Sequence, residues 1–369
     1  MKVCHLTSVH PALDIRIFVK ECKTLQRAGH EVTLIVANQE SQVVDSVTIK
    51  SVNAPAGNRI TRMIASTRAI YDEAIRQDAD VYHFHDPELI PIGLLLKKRG
   101  KKVIYDVHED VPEQVLSKEW IPGFLRKSIS SIVKSVEKFA SKRFDAVITA
   151  TPTINNRFVT YNKNSVIVHN FPILNELAGS VENSDVKRED LLYIGGITKL
   201  RGIEEMVEAM GIVNQTIDST LALAGKFSPE SLEDEMKSHP DWRYINHVGW
   251  LTRNEVKEQL SKSSIGLVLL RPEPRYVVSY PIKLFEYMSA GVPVIASNFP
   301  LWKGIVEGKN CGLCVDPLDP KSIADAIIWI LQHPEEAKKM GENGRKAIEN
   351  KYNWETESIT LTNLYQKFN

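Results

Sequence analysis

KVCHLTSVHPALDIRIFVKECKTLQRAGHEVTLIVAN, residues 2–38, decides the fold. KVCHLTSV (2–9) is an apolar run stopped by His10-Pro11 and reads as a buried strand. From Asp14 to Ala28 the apolar residues recur at helical spacing, with Phe18, Cys22 and Leu25 on one face and Gly29 at the stop position. EVTLIVAN (31–38) is strand-like again. Two strands joined through a helix make a βαβ unit, whose strands run parallel.

The unit recurs outward from there. DVYHFH (80–85), ELIPIGLLLKKRG (88–100) and KKVIYDV (101–107) read strand, helix, strand, and DAVITA (145–150) and SVIVHN (165–170) continue the alternation. Residues 172–190 are polar and break the pattern, as a linker would. The alternation restarts with LLYIGG (191–196), TLALAG (220–225), YINHVGW (244–250), SIGLVLL (264–270) and VPVIAS (292–297), each separated by helical spacing. The expected architecture is α/β, with two Rossmann-like parallel-sheet domains, 1–175 and 190–353, facing a central cleft. In such sheets ligands bind past the carboxyl ends of the strands.

Composition narrows the function. The chain has 369 residues, 43% hydrophobic and 25% charged, which suits an ordinary globular protein. Lys+Arg and Asp+Glu are both 46, so an overall basic nucleic-acid binder is not expected. The zero net charge conceals a split: +5 over residues 1–180 and −5 over 181–369. No apolar run reaches membrane-spanning length and no secretory signal is read at the start. Four cysteines in this length suit a reducing compartment, and Cys311-x-x-Cys314 in GLCVDP reads as a short strand entering a turn.

Polar residues gather at the strand ends. In the second half, Gly195-Gly196-Ile197-Thr198-Lys199-Leu200-Arg201-Gly202 leads into a helix, where backbone N–H groups and the basic side chains suit a phosphate. The third glycine of a dinucleotide fingerprint is absent, which leaves a dehydrogenase weakly supported. In SYPIKLFEYMSAGVPVIAS (279–297), Pro281 fits a first helical turn, and Lys283 and Glu286 share one face. That pair reads either as a surface ion pair or as a lysine for phosphate and a carboxylate for ribose hydroxyls.

In the first half, His10, Asp14 and Arg16 follow the first strand, His83, His85 and Asp86 end another, and His108, Glu109 and Asp110 follow a third. Imidazoles placed there suit sugar hydroxyls or acid–base work. A zinc reading lacks HExxH spacing or a cysteine set, so no metal is expected. Residues 124–143 form an amphipathic helix. Leu125, Ile129, Ile132, Val136 and Phe139 make its stripe, and Arg126, Lys127, Lys134, Lys138, Lys142 and Arg143 oppose Glu137 alone. It is either core-facing with a solvated basic face or a surface for anionic lipid.

Taken together, RAGHEVTLIV, HFHD (83–86), DVHE (106–109), YIGG…RG (193–202), FEYMSAGVPVIAS (285–297) and GLCVDPLDPKSIADAI (312–327) make the chain resemble retaining glycosyltransferases of family 4, with the GT-B fold. The resemblance implies a nucleotide-diphosphate sugar, UDP-sugar foremost, as donor substrate, with no separate cofactor and no metal. Its donor site would comprise Gly195, Gly196, Arg201, Ser279, Tyr280, Pro281, Lys283 and Glu286, with Glu286 on the ribose. Gly196 stands where the family usually has an arginine, and Val278 where it has a first glutamate. Ser279 to Lys283 match a SxPxK variant, in which Lys283 supplies charge.

Catalytic roles would fall to His108, Lys283 and Arg201. His10, Asp14, Arg16, His85 and Asp86 would border the acceptor, a glycan or lipid-linked sugar. The helix 354–369 would return to the first domain. The implied role is hexose transfer in bacterial surface polysaccharide assembly, in the cytoplasm or on the inner face of the plasma membrane, without nucleic acid. A GT-B nucleotide-sugar epimerase using Asp86, Glu109 or Asp110, and a catalytically degenerate GT-B scaffold, are the competing readings.

Overall fold

The computed structural model describes residues 1–53, 59–118, 121–177 and 190–368. They form two compact units, Met1–Asn170 with Trp354–Asn369, and Phe171–Asn353.

The first unit is built on an eight-stranded sheet. Its order is Gln42–Val44, Val47–Val52, Glu31–Ala37, Lys2–Leu6, Val81–Phe84, Lys102–Val107, Ala146–Thr149 and Ser165–Ile167. All neighbours pair in parallel except the first two, an antiparallel edge hairpin. The central strands read as unbroken apolar runs because helices cover them. The alternation reading overlooked the hairpin, whose edge strand is three residues long and largely exposed. The expected helix from Asp14 to Ala28 is present, but its first part, Ile15–Cys22, is wound as a π-helix before the α-helical Lys23–Arg27. Cys22 is fully buried, as its face predicts.

The second unit carries six parallel strands in the order Ile245–Gly249, Thr220–Ala224, Asp190–Ile194, Ser263–Val268, Val294–Ser297 and Gly312–Val315. Two apolar cores contain its buried side chains, one around Trp302, Phe285 and Met288 and the other around Tyr193, Met206 and Met210. Phe171 and Leu177 belong to the first of these. The division therefore falls at 170/171 and not at 175, because burying those two side chains ties the segment to the second unit. Of the expected linker, 178–189 lies outside the described residues.

The helix Trp354–Gln366 belongs to the first unit. There the Trp354 indole donates to Thr24 Oγ1 (2.9 Å), and Glu357 accepts from the His169 backbone N–H (2.8 Å).

Candidate functional site

Each unit gathers polar groups at the carboxyl ends of its strands. In the second, the strand Asp190–Ile194 ends at Gly195-Gly196 and continues through the turn Lys199–Arg201 into the helix Ile203–Val213. Gly195 has φ +128°, and a Cβ there would lie 3.2 Å from Lys283 Nζ and 3.5 Å from Arg201 Nη1. A Cβ on Gly196 would lie 3.2 Å from the same Arg201 nitrogen. The bare backbone is what lets two cationic side chains lie over it. Arg201 Nη1 donates to the Gly196 carbonyl at 3.3 Å.

Lys283 comes from the helix Ile282–Ala290. Its ammonium is buried, sits 3.5 Å from the centroid of the Tyr193 ring and has no hydrogen-bond partner among the described residues. Burial, and then the neighbouring Arg201, push this ammonium well below the usual lysine range, against the pull of Glu286. The helix is held in register by Tyr287. Its hydroxyl donates to the Leu192 carbonyl (3.2 Å) and accepts from the Ile194 N–H (3.0 Å). Its ring lies where a Cβ on Gly266 would approach to 2.4 Å.

Ser279, Tyr280 and Pro281 shape the turn that aims Lys283. Ser279 Oγ donates to the Tyr276 carbonyl (2.9 Å), and the Ser279 carbonyl accepts from the Trp302 indole (2.7 Å). The Tyr280 ring stacks near Phe285, with centroids 6.1 Å apart. Pro281 caps the helix from just outside and is not in its first turn, since its ψ of 122° is extended. Lys199 turns away to Glu204 (2.8 Å) and Glu235 (2.5 Å).

Glu286 lies on the same helix as Lys283, with its carboxylate side chain 10% exposed. It forms a very close ion pair with Arg253, which also grips Glu176 through Nε (2.7 Å) and Nη2 (3.0 Å). Sequence reasoning missed Arg253. The signal was there: Thr252 and Glu255 form a capping box, which places Arg253 in a first helical turn.

In the first unit the histidines converge. The rings of His5 and His83 are 4.4 Å apart between centroids, and those of His83 and His85 4.7 Å. Asp106 is the hub. It accepts from Arg16 Nε (3.1 Å) and Nη2 (2.8 Å), from His108 Nε2 (2.9 Å) and from His85 Nδ1 (3.2 Å). Burial would raise its carboxyl, but Arg16 and His108 win and hold it well below the carboxylate range. Burial pushes His5 and His83 down, and brings His85 down to about 4, so all three imidazoles are neutral near pH 7.

Asp86 accepts from Thr7 Oγ1 (2.8 Å) and the Ser8 N–H (2.6 Å) and pairs with His10 Nδ1 (3.0 Å). Burial works against ionisation, yet these partners bring it down to about 2.

This geometry corrects the acceptor-side expectation. Arg16, His85 and Asp86 are buried, and Arg16 commits three of its five N–H donors to Asp106 and the Val168 carbonyl. Asp14 caps the first helix, accepting from the N–H groups of Arg16 (2.8 Å) and Ile17 (2.9 Å). His10 and His108 are the partly exposed members, with side-chain exposures of 28% and 19%. Asp110 is tied to Arg157 at 3.2 Å, and Glu109 is exposed.

The helix Gly123–Ser141 turns its apolar stripe outward. Phe124, Ile132 and Phe139 are 82%, 62% and 52% exposed, whereas Glu137 is buried against Arg157 (2.6 Å). The core-facing reading of this helix is thereby overturned. Cys311 and Cys314 are both free thiols. Among the described residues, no helix is long and apolar enough to cross a membrane.

Comparison with known proteins follows the same division. Residues 16–171 match the Glycosyltransferase Family 4 model and residues 178–347 the model for Glycosyl transferases group 1. Glycogen synthase of Mycobacterium tuberculosis is 22% identical over 300 residues, covering 78% of this chain and 68% of that protein. MMP alpha-(1->4)-mannosyltransferase of Mycolicibacterium hassiacum is 19% identical, covering 79% and 71%. Among solved structures, sucrose-phosphate synthase from Thermosynechococcus elongatus aligns with a TM-score of 0.78 and 17% identity, over 99% of this chain and 98% of that one. Anabaena HepE in complex with UDP-glucose aligns with a TM-score of 0.73 and 12% identity over the whole of both chains. With two glycosyltransferase models spanning its two halves and the fold shared end to end, the chain belongs to the family 4 glycosyltransferases of GT-B fold.

Proposed function

We propose that the protein is a retaining hexosyltransferase that moves a sugar from a nucleotide diphosphate, UDP foremost, to a glycan or lipid-linked acceptor. The observation that carries this reading is the buried Lys283 ammonium, lacking a hydrogen-bond partner beside Arg201 and over the bare Gly195-Gly196 backbone. Two basic side chains gathered over a bare backbone suit an anion, and a diphosphate supplies one. Glu286 would take the ribose hydroxyls. The leaving diphosphate would gain negative charge as the glycosidic bond breaks, and Lys283, Arg201 and the helix N-terminus beyond them would stabilise it. No metal is needed at the diphosphate for that role.

His108, oriented through Asp106, would donate to the transferred sugar. Attack from the same face as the departing diphosphate gives retention without a covalent intermediate. His10 would border the acceptor. The acceptor's lipid would meet the helix Gly123–Ser141, whose exposed Phe124, Ile132, Val136 and Phe139 lie among six lysines and arginines of residues 124–143. This suits surface polysaccharide assembly at the inner face of a bacterial plasma membrane.

The test is incubation with a panel of nucleotide sugars, with and without membrane extract. Transfer, or hydrolysis releasing free nucleoside diphosphate, supports the proposal. An isomerised donor with no release points to the epimerase reading. Absence of calorimetric binding to any nucleotide overturns both. Flotation with anionic liposomes should weaken as salt rises and when Lys134, Lys138 and Lys142 are neutralised; salt-independent flotation contradicts the membrane contact.

A further inference from the structure

Beneath His108 lies a set of buried groups that transfer does not use. Glu21, His5 and His83 are each fully buried. Among the described residues, His5 Nε2, His83 Nε2 and the Glu21 carboxyl oxygens have no hydrogen-bond partner. One ligand atom from each of these residues and from His85 lies within 4.8 Å of all the others. His83 Nε2 and Glu21 Oε2 are 3.8 Å apart, close to the roughly 3.4 Å between neighbouring ligands on a tetrahedral ion with bonds of about 2.0–2.1 Å.

The hydrogen bonds around the set are consistent with lone pairs turned inward. Asp106 accepts from His85 Nδ1, so the neutral His85 ring accepts at Nε2. The donor there is His5 Nδ1, at 2.9 Å. His5 Nε2 is therefore a lone pair. His83 Nδ1 lies 2.9 Å from the Tyr365 hydroxyl; in the tautomer protonated at Nδ1 the hydroxyl accepts that proton and Nε2 is a second lone pair. Metal-bound imidazoles are oriented in this way, through the ring nitrogen that does not touch the ion.

The charge of the cluster is compatible with an ion. Three carboxylates, Glu21, Asp86 and Asp106, are buried in the connected cluster, against one buried guanidinium, Arg16. Arg16 Nε is 3.2 Å from Glu21 Oε1 but is committed to Asp106. With all three ionised the excess would be two negative charges, which one divalent cation balances; without an ion, burial and the neighbouring Asp106 push the Glu21 carboxyl well above the usual carboxylate range, and a proton there with one on His10 balances the cluster instead.

We propose that His5, His83 and Glu21 bind one Zn²⁺ in the first unit, apart from the donor groups and oriented by His85 and Tyr365. Two imidazoles and a carboxylate suit a borderline divalent ion better than Mg²⁺ or Ca²⁺, which favour all-oxygen sites. The ion would fix the Asp106 hub from below and so hold the His108 ring in place. Its role is positional, and the donor chemistry does not pass through it.

The full chain, stripped with chelator and dialysed against Zn²⁺, should retain one zinc per chain by elemental analysis. Loaded with Co²⁺, it should show visible d–d bands without a sulfur charge-transfer band. Glu21→Gln and His83→Gln should each weaken uptake at least tenfold, while His108→Gln and Cys314→Ser leave it unchanged. Circular dichroism checks that each variant folds. The wild-type cobalt spectrum needs no variant, so misfolding of both substitutions leaves the proposal open to refutation.

Substoichiometric zinc would overturn the proposal, as would equal uptake in Glu21→Gln. So would a protonated-carboxyl infrared band, absent from Glu21→Gln, that persists in the zinc-treated wild type. The last result would assign the balancing charge to protons. None of these measurements needs a donor sugar, so they stand or fall apart from the transferase reading.

Discussion

The two strand-end clusters are electrostatic opposites. In the first unit, buried carboxylates outnumber the guanidinium that meets them, and the orphan atoms are imidazole nitrogens and carboxyl oxygens. In the second, Lys283 and Arg201 share a glycine-floored cradle, and the orphan is an ammonium. One cluster gathers acids and imidazoles, the other basic side chains. The difference teaches what each asks of a ligand, although both are built on the same parallel-sheet scaffold.

The contrast can be broken from either side. The largest effect expected is on stability, at the Asp106 hub. Asp106→Asn takes from the buried Arg16 the carboxylate it grips through two nitrogens, leaving only the Glu21 contact, and should cost about 3–5 kcal/mol in denaturant unfolding; a change below 1 kcal/mol would mean Arg16 is not held as described. Next comes Lys283→Met, which removes a buried charge. Calorimetry should show donor affinity falling about 10–100-fold, the loss of one charge-assisted contact, while the thermal midpoint of the free protein rises. A fall in both would show that the ammonium is paid for elsewhere in the fold.

Glu286→Ala should weaken nucleotide binding by about tenfold or more and abolish preference for a ribo- over a 2′-deoxyribo-nucleotide. Unchanged affinity would remove the ribose assignment. Arg253→Ala should raise KM by less than that, because it only positions Glu286, and Arg253→Lys should recover part of the loss. The smallest effect concerns His10. Its pKa is raised despite partial burial, by its bond to Asp86. Its stabilisation is therefore complete below pH 6.5 and lost as pH rises through the folded value. Unfolding curves from pH 6 to 9 should show this decline in the wild type and not in His10→Gln.

The fold was legible because parallel strands sandwiched between helices are apolar on both faces and announce themselves as runs such as TLALAG and SIGLVLL. The hairpin Gln42–Val52 was not, since an exposed edge carries no such run. Strand-end position singled out Gly195, Arg201 and His108, and helical spacing singled out Lys283. Neither could disclose partners. Arg16 and Asp106 are ninety positions apart, and only the folded sheet brings a guanidinium that looked available for acceptor binding onto its buried anion. The Lys283–Glu286 spacing suggested an ion pair, but Glu286 pairs with Arg253, thirty-three positions away.

The helix Trp354–Gln366 bears on the order of assembly. Residues 171–353 form the second unit as one uninterrupted stretch, so on the ribosome it can be completed while the first is still missing a piece. His83 meets Tyr365, and His169 meets Glu357, only after those late residues have been synthesised. The histidine cluster, although encoded near the beginning of the chain, is thus among the last parts of the molecule to reach its final form. A nascent chain stalled before Trp354 would carry a finished second unit and an unfinished first one.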